Sequence, residues 1–338
     1  MEFDVTTLHG RRADQRWNRM VVGDLFERLV WSSPDKDALV GWAGAYATDG
    51  FRRLTYRQAD DAANRTAQAL RAAGLTDGER VLLYCENSVE AVVTMFGIAK
   101  AGLVAVPVNP HLAPDVLEWV VEHVGVRFTV VDGEFGEQAR KVFARAGLRV
   151  NVTIPIGGPI VAGSRDFAEW IAEQPADEPS GNRHADDVWS ILFTSGTTLM
   201  PKASMATHTY SYMAGFSYAM SLTRGLDYEQ DLTTCTFLPI LYHCGHNSTI
   251  LPTILAGGTD GARPSPRSGG AGRRRDDGEG HRRMGRVPGL GPAARHLWPR
   301  VRRRRPVLPH RGDVRLGIDE SGHGARPGEG MRTAGEDA

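Results

Sequence analysis

The 338-residue sequence has little cysteine, no long apolar run and, in its last quarter, no lysine and almost no aromatic side chain. Cys85, Cys235 and Cys244 are odd in number and widely spaced, which excludes a disulfide framework. No apolar run approaches the roughly 18 residues a membrane span needs, which excludes an ordinary transmembrane helix. The opening Met-Glu-Phe-Asp lacks the basic-then-apolar layout of a secretory signal. A reduced, cytoplasmic protein is the expectation.

Charge is balanced overall, with 40 basic and 40 acidic residues, but not locally. Residues 261–338 hold 18 Arg and 9 acidic residues, against 22 basic and 31 acidic residues in 1–260. The first part is therefore acidic and the last part basic. Arg, Gly and Pro number 18, 16 and 8 in the last part, and its apolar positions follow no structural period. Such a stretch buries too little apolar surface to offset chain entropy, so 261–338 is expected to be a disordered basic tail. The change is abrupt and follows Ala256-Gly257-Gly258-Thr259. A shifted reading frame in GC-rich DNA and a native basic tail are two origins for it, and the coding DNA distinguishes them.

Residues 18–257 read as alternating helices and strands. Thr55 and Gln58 form a capping-box pattern ahead of an alanine-rich helix closed by Gly74. Residues 81–84 make a short buried strand. Ser88 caps a segment in which Val89, Val92, Val93, Phe96 and Ala99 fall at helical spacing, closed by Gly102. A strand at 103–108, a helix at 114–123 and a strand at 127–131 follow. Residues 155–187 read as surface connections around a short helix at 166–173, and 188–193 as a strand. The alternation predicts an α/β fold with helices covering a mainly parallel sheet.

The most informative run is Phe193-Thr194-Ser195-Gly196-Thr197-Thr198-Leu199-Met200-Pro201-Lys202-Ala203. It follows a strand and precedes 204–220, a segment with room for a helix. The glycine admits close backbone approach, the hydroxyls and N–H groups suit phosphate oxygens, and Lys202 adds a point charge. The alternative is a Ser/Thr-rich surface turn. The P-loop of NTPases is excluded, because its pattern places glycine directly before the lysine and Pro201 stands there.

This run resembles the phosphate-binding signature of the adenylate-forming superfamily, aromatic-T-S-G-T-T-G-x-P-K-G. Two further segments strengthen the resemblance. Residues 101–110, Ala-Gly-Leu-Val-Ala-Val-Pro-Val-Asn-Pro, resemble the family's helix end, strand and V-P-x-N-P turn. Residues 237–245, Phe-Leu-Pro-Ile-Leu-Tyr-His-Cys-Gly, resemble its P-L-x-H-x-x-G segment. The similarity extends over 20–260, an incomplete N-terminal domain, and is nearest to bacterial fatty-acyl-CoA ligases. The resemblance implies ATP-dependent activation of a carboxylic acid to an acyl-adenylate, then transfer to CoA, with Mg²⁺ assisting. It implies that Thr194, Ser195, Gly196, Thr197, Thr198 and Lys202 hold the nucleotide phosphates. His243 is implied to border the acyl and nucleotide pockets. A fatty acid is the implied substrate.

The sequence departs from the pattern. Leu199 and Ala203 stand where the family has glycine, and a positive φ at Leu199 would cost about 1–2 kcal/mol. Beyond residue 260 there is no aromatic-G-x-T-E segment for adenine and Mg²⁺, no G-D run for ribose, no hinge and no small C-terminal domain with its lysine. The expectation is a truncated, inactive ligase with no secure catalytic residue. Its rival is a non-enzymatic remnant that binds a nucleotide or a partner. A third reading, nucleic-acid binding through Arg273–Arg275 and Arg302–Arg305, lacks the aromatics that stack on bases, Trp298 being alone in the tail. His243-Cys244-Gly245-His246 has no second ligand cluster and is expected to be a strand-end loop rather than a metal site. His208 is expected to serve packing or helix entry. Met205, Tyr210, Tyr212, Met213, Phe216, Tyr218 and Met220 are expected to form core or acyl-pocket wall.

Overall fold

The computed structural model describes residues 21–181, 183–194, 200–223, 232–240 and 242–263, all within one unit, Met1–Gly270. The expected tail from residue 264 on, residues 195–199 of the threonine-rich run and the first 20 residues lie outside the described residues.

The chain enters through α1 (Leu25–Ser32), β1 (Asp37–Gly41) and β2 (Arg53–Thr55). Then α2 (Tyr56–Ala72) opens on the expected capping box, with Thr55 Oγ1 accepting from Gln58 N and Gln58 Oε1 from Thr55 N. Next come β3 (Arg80–Tyr84), α3 (Val89–Lys100) and β4 (Val104–Pro107). Ser88 Oγ caps α3 by accepting from Ala91 N at 3.0 Å. They are followed by α4 (Pro114–Val124), β5 (Val126–Asp132), α5 (Gly136–Arg145), β6 (Val152–Ile154), β7 (Arg165–Asp166) and α6 (Phe167–Ala172). The described chain closes with β8 (Val188–Thr194), β9 (Lys202–Thr207), α7 (His208–Leu222), β10 (Thr233–Thr236), α8 (His243–Gly245), α9 (Leu251–Leu255) and β11 (Thr259–Ala262).

One sheet has the order β7-β6-β5-β3-β4-β8-β9, with every described pairing parallel except β8 with β9. Buried parallel strands require near-continuous apolar runs, and Val81-Leu82-Leu83-Tyr84 supplies one. Its side chains alternate between two cores. Val81 and Leu83 join α1, α2 and α3 on one face, while Leu82 and Tyr84 join α4 and α5 on the other. Every residue of α3 is buried, because the helix packs on α2, β4 and β1 at once. The protein is thus α/β, with helices covering a mainly parallel sheet.

A second sheet, β10-β11-β1-β2, was not legible in the sequence. Its strands are short, and β11 reads Thr-Asp-Gly-Ala, residues with poor strand preference. The expected domain boundary at 260 falls inside β11. Asp260 is fully buried there, with Oδ1 accepting from Thr234 and Thr236 at 2.8 and 2.7 Å and Oδ2 without a partner. No described helix is long and apolar enough to cross a membrane.

Candidate functional site

In a parallel sheet, ligands bind outside the carboxyl ends of the strands. Here those ends are Tyr84, Pro107, Asp132 and Thr194 of β3, β4, β5 and β8. The segment 101–110 forms the end of α3, β4 and the turn beyond it. Tyr84 Oη donates to Pro110 O at 2.7 Å, and Asn109 Oδ1 accepts from His111 N at 2.9 Å. His111 Nε2 lies 3.1 Å from Glu86 Oε1. Beneath this rim Asp132 is 1% exposed and receives Glu86 N at 2.7 Å. Burial pushes the Asp132 carboxyl well above its ordinary range, and burial also raises the Cys85 thiol. A buried, protonated thiol of this kind is no nucleophile.

The run expected to bind phosphate lies between β8 and β9, which pair antiparallel. Thr194 and Lys202 are partners across the antiparallel register, so the two ends of the run stand together at the carboxyl end of β8. A strand, not a helix, therefore follows directly. The helix α7 begins at His208, capped by Thr207 Oγ1 accepting from Tyr210 N at 3.1 Å. Its N-terminus lies beyond a whole strand from Lys202, so helix-dipole assistance to the run is not part of this arrangement. Ser195, Gly196, Thr197, Thr198 and Leu199 lie outside the described residues. Lys202 and Ala203 are exposed.

His243 opens α8 and is partly exposed, with Nε2 3.0 Å from Tyr210 Oη. The pair joins α7 to the loop after β10. Three residues on, a π-helical turn runs His246–Ile250, a form often found at functional sites. His246 Nδ1 donates to Ile240 O at 2.9 Å, so its buried Nε2 is left as an acceptor without a partner. Burial lowers its pKa to about 4, which keeps the ring neutral. His243 and His246 thus engage different partners. Gly245 fits because a Cβ there would meet Pro239 O at 2.2 Å.

His208 takes the packing role expected of it. It is 1% exposed, accepts from Val22 N at 3.1 Å and stacks on Trp189 at 6.1 Å. Burial lowers its pKa to about 3. The aromatic and methionine segment is not core. Met205, Tyr210, Met213, Phe216, Tyr218 and Met220 are all exposed, Tyr212 alone packing partly against the interior. Even apolar content around α7 hid this, because no single helix face is apolar.

Sequence reasoning missed Asn87, Tyr210 as the partner of His243, and the Glu86–His111 rim. The signal for Asn87 and Glu86 was position, since both lie within three residues of the end of a buried parallel strand. At the opposite end of the sheet, Lys100 ends α3 fully buried, 3.0 Å from Asp60 and 2.5 Å from Glu178. Among the described residues, Asp24, Glu27 and Glu178 are the group with metal-ligand spacing. Lys100 and Arg183 beside Glu178 supply its positive charge already, so these residues do not fit a Mg²⁺ ion.

The fold and the strand-end site define an adenylate-forming architecture. The profile of the AMP-binding enzyme family matches residues 26–268, and the chain belongs to that family. It is 32% identical over 208 residues to the long-chain-fatty-acid–CoA ligase FadD13 of Mycobacterium tuberculosis, covering 61% of this chain and 39% of the relative. It is 29% identical over 250 residues to the crotonobetaine/carnitine–CoA ligase of Salmonella paratyphi C, covering 71% and 46%. The chain therefore spans less than half the length of these curated relatives. The anthranilate CoA ligase AuaEII in complex with anthranoyl-AMP superposes with a TM-score of 0.63 at 25% identity, over 73% of this chain and 45% of that one. ATP-bound MatB from Rhodopseudomonas palustris gives 0.60 at 26% identity, over 72% and 46%.

Proposed function

We propose that this chain carries the phosphate-binding hairpin and the acyl-pocket histidine of an ATP-dependent fatty-acyl-CoA ligase. The observation that supports this is the Thr194–Lys202 register, which closes the threonine-rich run at the carboxyl end of β8. In the reaction, a carboxylate oxygen of the fatty acid bonds to the α-phosphorus of ATP as the bond to pyrophosphate breaks. The CoA thiolate then attacks the acyl carbon and AMP leaves. Thr194, Ser195, Gly196, Thr197, Thr198 and Lys202 would hold the phosphates, with Lys202 offsetting the charge that gathers on pyrophosphate. His243, steadied by Tyr210, would border the acyl and nucleotide pockets. Mg²⁺, when bound, neutralises phosphate charge.

Residues after 260 supply no match to the adenine, ribose or lysine elements. A polypeptide of this sequence alone would therefore grip ATP by its phosphates only and would not complete the reaction, because catalysis needs every group in position. The test is pyrophosphate release from the 338-residue chain with ATP, MgCl₂ and saturated acids of graded length. The expected outcome is release at background. Release that disappears in a Lys202→Ala/Thr197→Ala double variant would overturn the inactivity and keep the ligase assignment. The non-enzymatic reading is favoured by ATP binding without turnover. Salt-sensitive DNA or RNA binding lost on deleting 264–338 would favour a tail-borne function.

A further inference from the structure

We propose that Asn87 is a positioning residue that sets His243, through a two-bond grip on the loop between β10 and α8. The proposal rests on the reading of His243 as pocket wall. Asn87 lies three residues beyond the end of β3 and is 2% exposed. Its Nδ2 donates to Leu238 O at 2.9 Å, and its Oδ1 accepts from Ile240 N at 2.9 Å. One side-chain amide thus copies the donor–acceptor pair that a neighbouring strand would offer, and it does so more than 150 residues away in sequence.

The same residue is held through its next peptide group, where His246 Nδ1 donates to Ile240 O. Tyr242 N donates to Pro239 O at 3.1 Å, and Gly245 N donates to Tyr242 O at 3.0 Å. Ile240 itself is 2% exposed and belongs to the main core, whereas Phe237 and Leu238 ahead of it are exposed. An exposed loop thus gains a fixed point at 240, three residues before His243. With Ile240 held at both its N–H and its carbonyl, the α8 backbone starts from a fixed direction, and the His243 ring meets Tyr210. Without Asn87, Ile240 N and Leu238 O lose their side-chain partner and the loop can swing.

The test uses the full 338-residue chain labelled with ¹⁵N at histidine and at backbone amides. Loss of a signal in His243→Gln assigns the His243 ring. In Asn87→Ala, the His243 ring signal should move to the value seen in Tyr210→Phe, and the Ile240 amide should exchange roughly tenfold faster. A Val92→Ala control lowers stability from within α3 and should leave the His243 signal in place. The proposal is overturned if Asn87→Ala leaves the ring signal unmoved, or if Val92→Ala moves it equally. Should Asn87→Ala not fold, Asn87→Ser is too short to reach both peptide groups and carries the same expectation. Decanoate added to the wild-type chain tests the pocket reading separately. If decanoate leaves His243 unmoved while Asn87→Ala moves it, the grip stands and the pocket assignment fails.

Discussion

Buried carboxyl groups with raised pKa values couple the stability of this protein to pH. Glu90, in the first turn of α3, is 1% exposed, with Oε1 accepting from Ala47 N at 2.7 Å and Oε2 unpartnered. Burial raises its pKa from 4.5 to about 7, the backbone donor only partly offsetting this. The folded chain then binds a proton that the unfolded chain has released. Its contribution is full below about pH 4.5 and is lost as pH rises through about 7. The wild type should lose urea midpoint between pH 5 and 8, and Glu90→Gln should flatten that fall. Asp24, raised by burial to about 6, acts in the same direction, so part of the slope should remain. Burial likewise raises Asp260. Asp260→Asn keeps an acceptor for Thr234 and Thr236 and removes the buried charge. It should stabilise the chain at pH 7 by on the order of 1 kcal/mol, measured by urea denaturation, with the gain shrinking at acid pH. A destabilised variant at pH 7 would contradict the account of Asp260 as a misfit in β11.

Among the elements, α8 has no room for a single added methyl group at Gly245. A Cβ at Gly245 would stand 2.2 Å from Pro239 O and 2.7 Å from Ile240 Cα, and both neighbours are backbone. Gly245→Ala should therefore cost about 1–3 kcal/mol through overpacking and weaken the His243–Tyr210 contact. Chemical denaturation and the His243 ring signal read the two effects. The elements that were legible beforehand share a cause. The helices α2, α3, α4 and α6 carry local signals: the box at Thr55, the serine at 88, Pro114 at the first position and the aspartate at 166. The strands β3, β4, β5 and β8 are short apolar runs. By contrast β9, with four exposed residues, looks like the start of a helix until its pairing with β8 is known.

At the scale of the molecule, the exposed large apolar side chains among the described residues concentrate on β9, α7 and the loop after β10. Met213 and Phe216 are 54% and 50% exposed. Clustered exposure of this kind promotes self-association. The double variant Met213→Gln/Phe216→Gln should raise the monomeric fraction at a given concentration, measured by size exclusion with light scattering. No change would mean that this face does not drive association. What the chain alone determined was the alternation of helix and strand, the two-sided burial of β3 and the family to which its threonine-rich run belongs. Each of these rests on neighbours in sequence, where spacing and capping chemistry act over a few residues. The tertiary structure alone decided that the run closes as a hairpin, that Asn87 reaches residues 238 and 240, and that Asp260 is buried. The first depends on which strand β9 pairs with, and the other two on contacts between segments well separated along the chain. No local pattern of spacing or capping encodes such pairings.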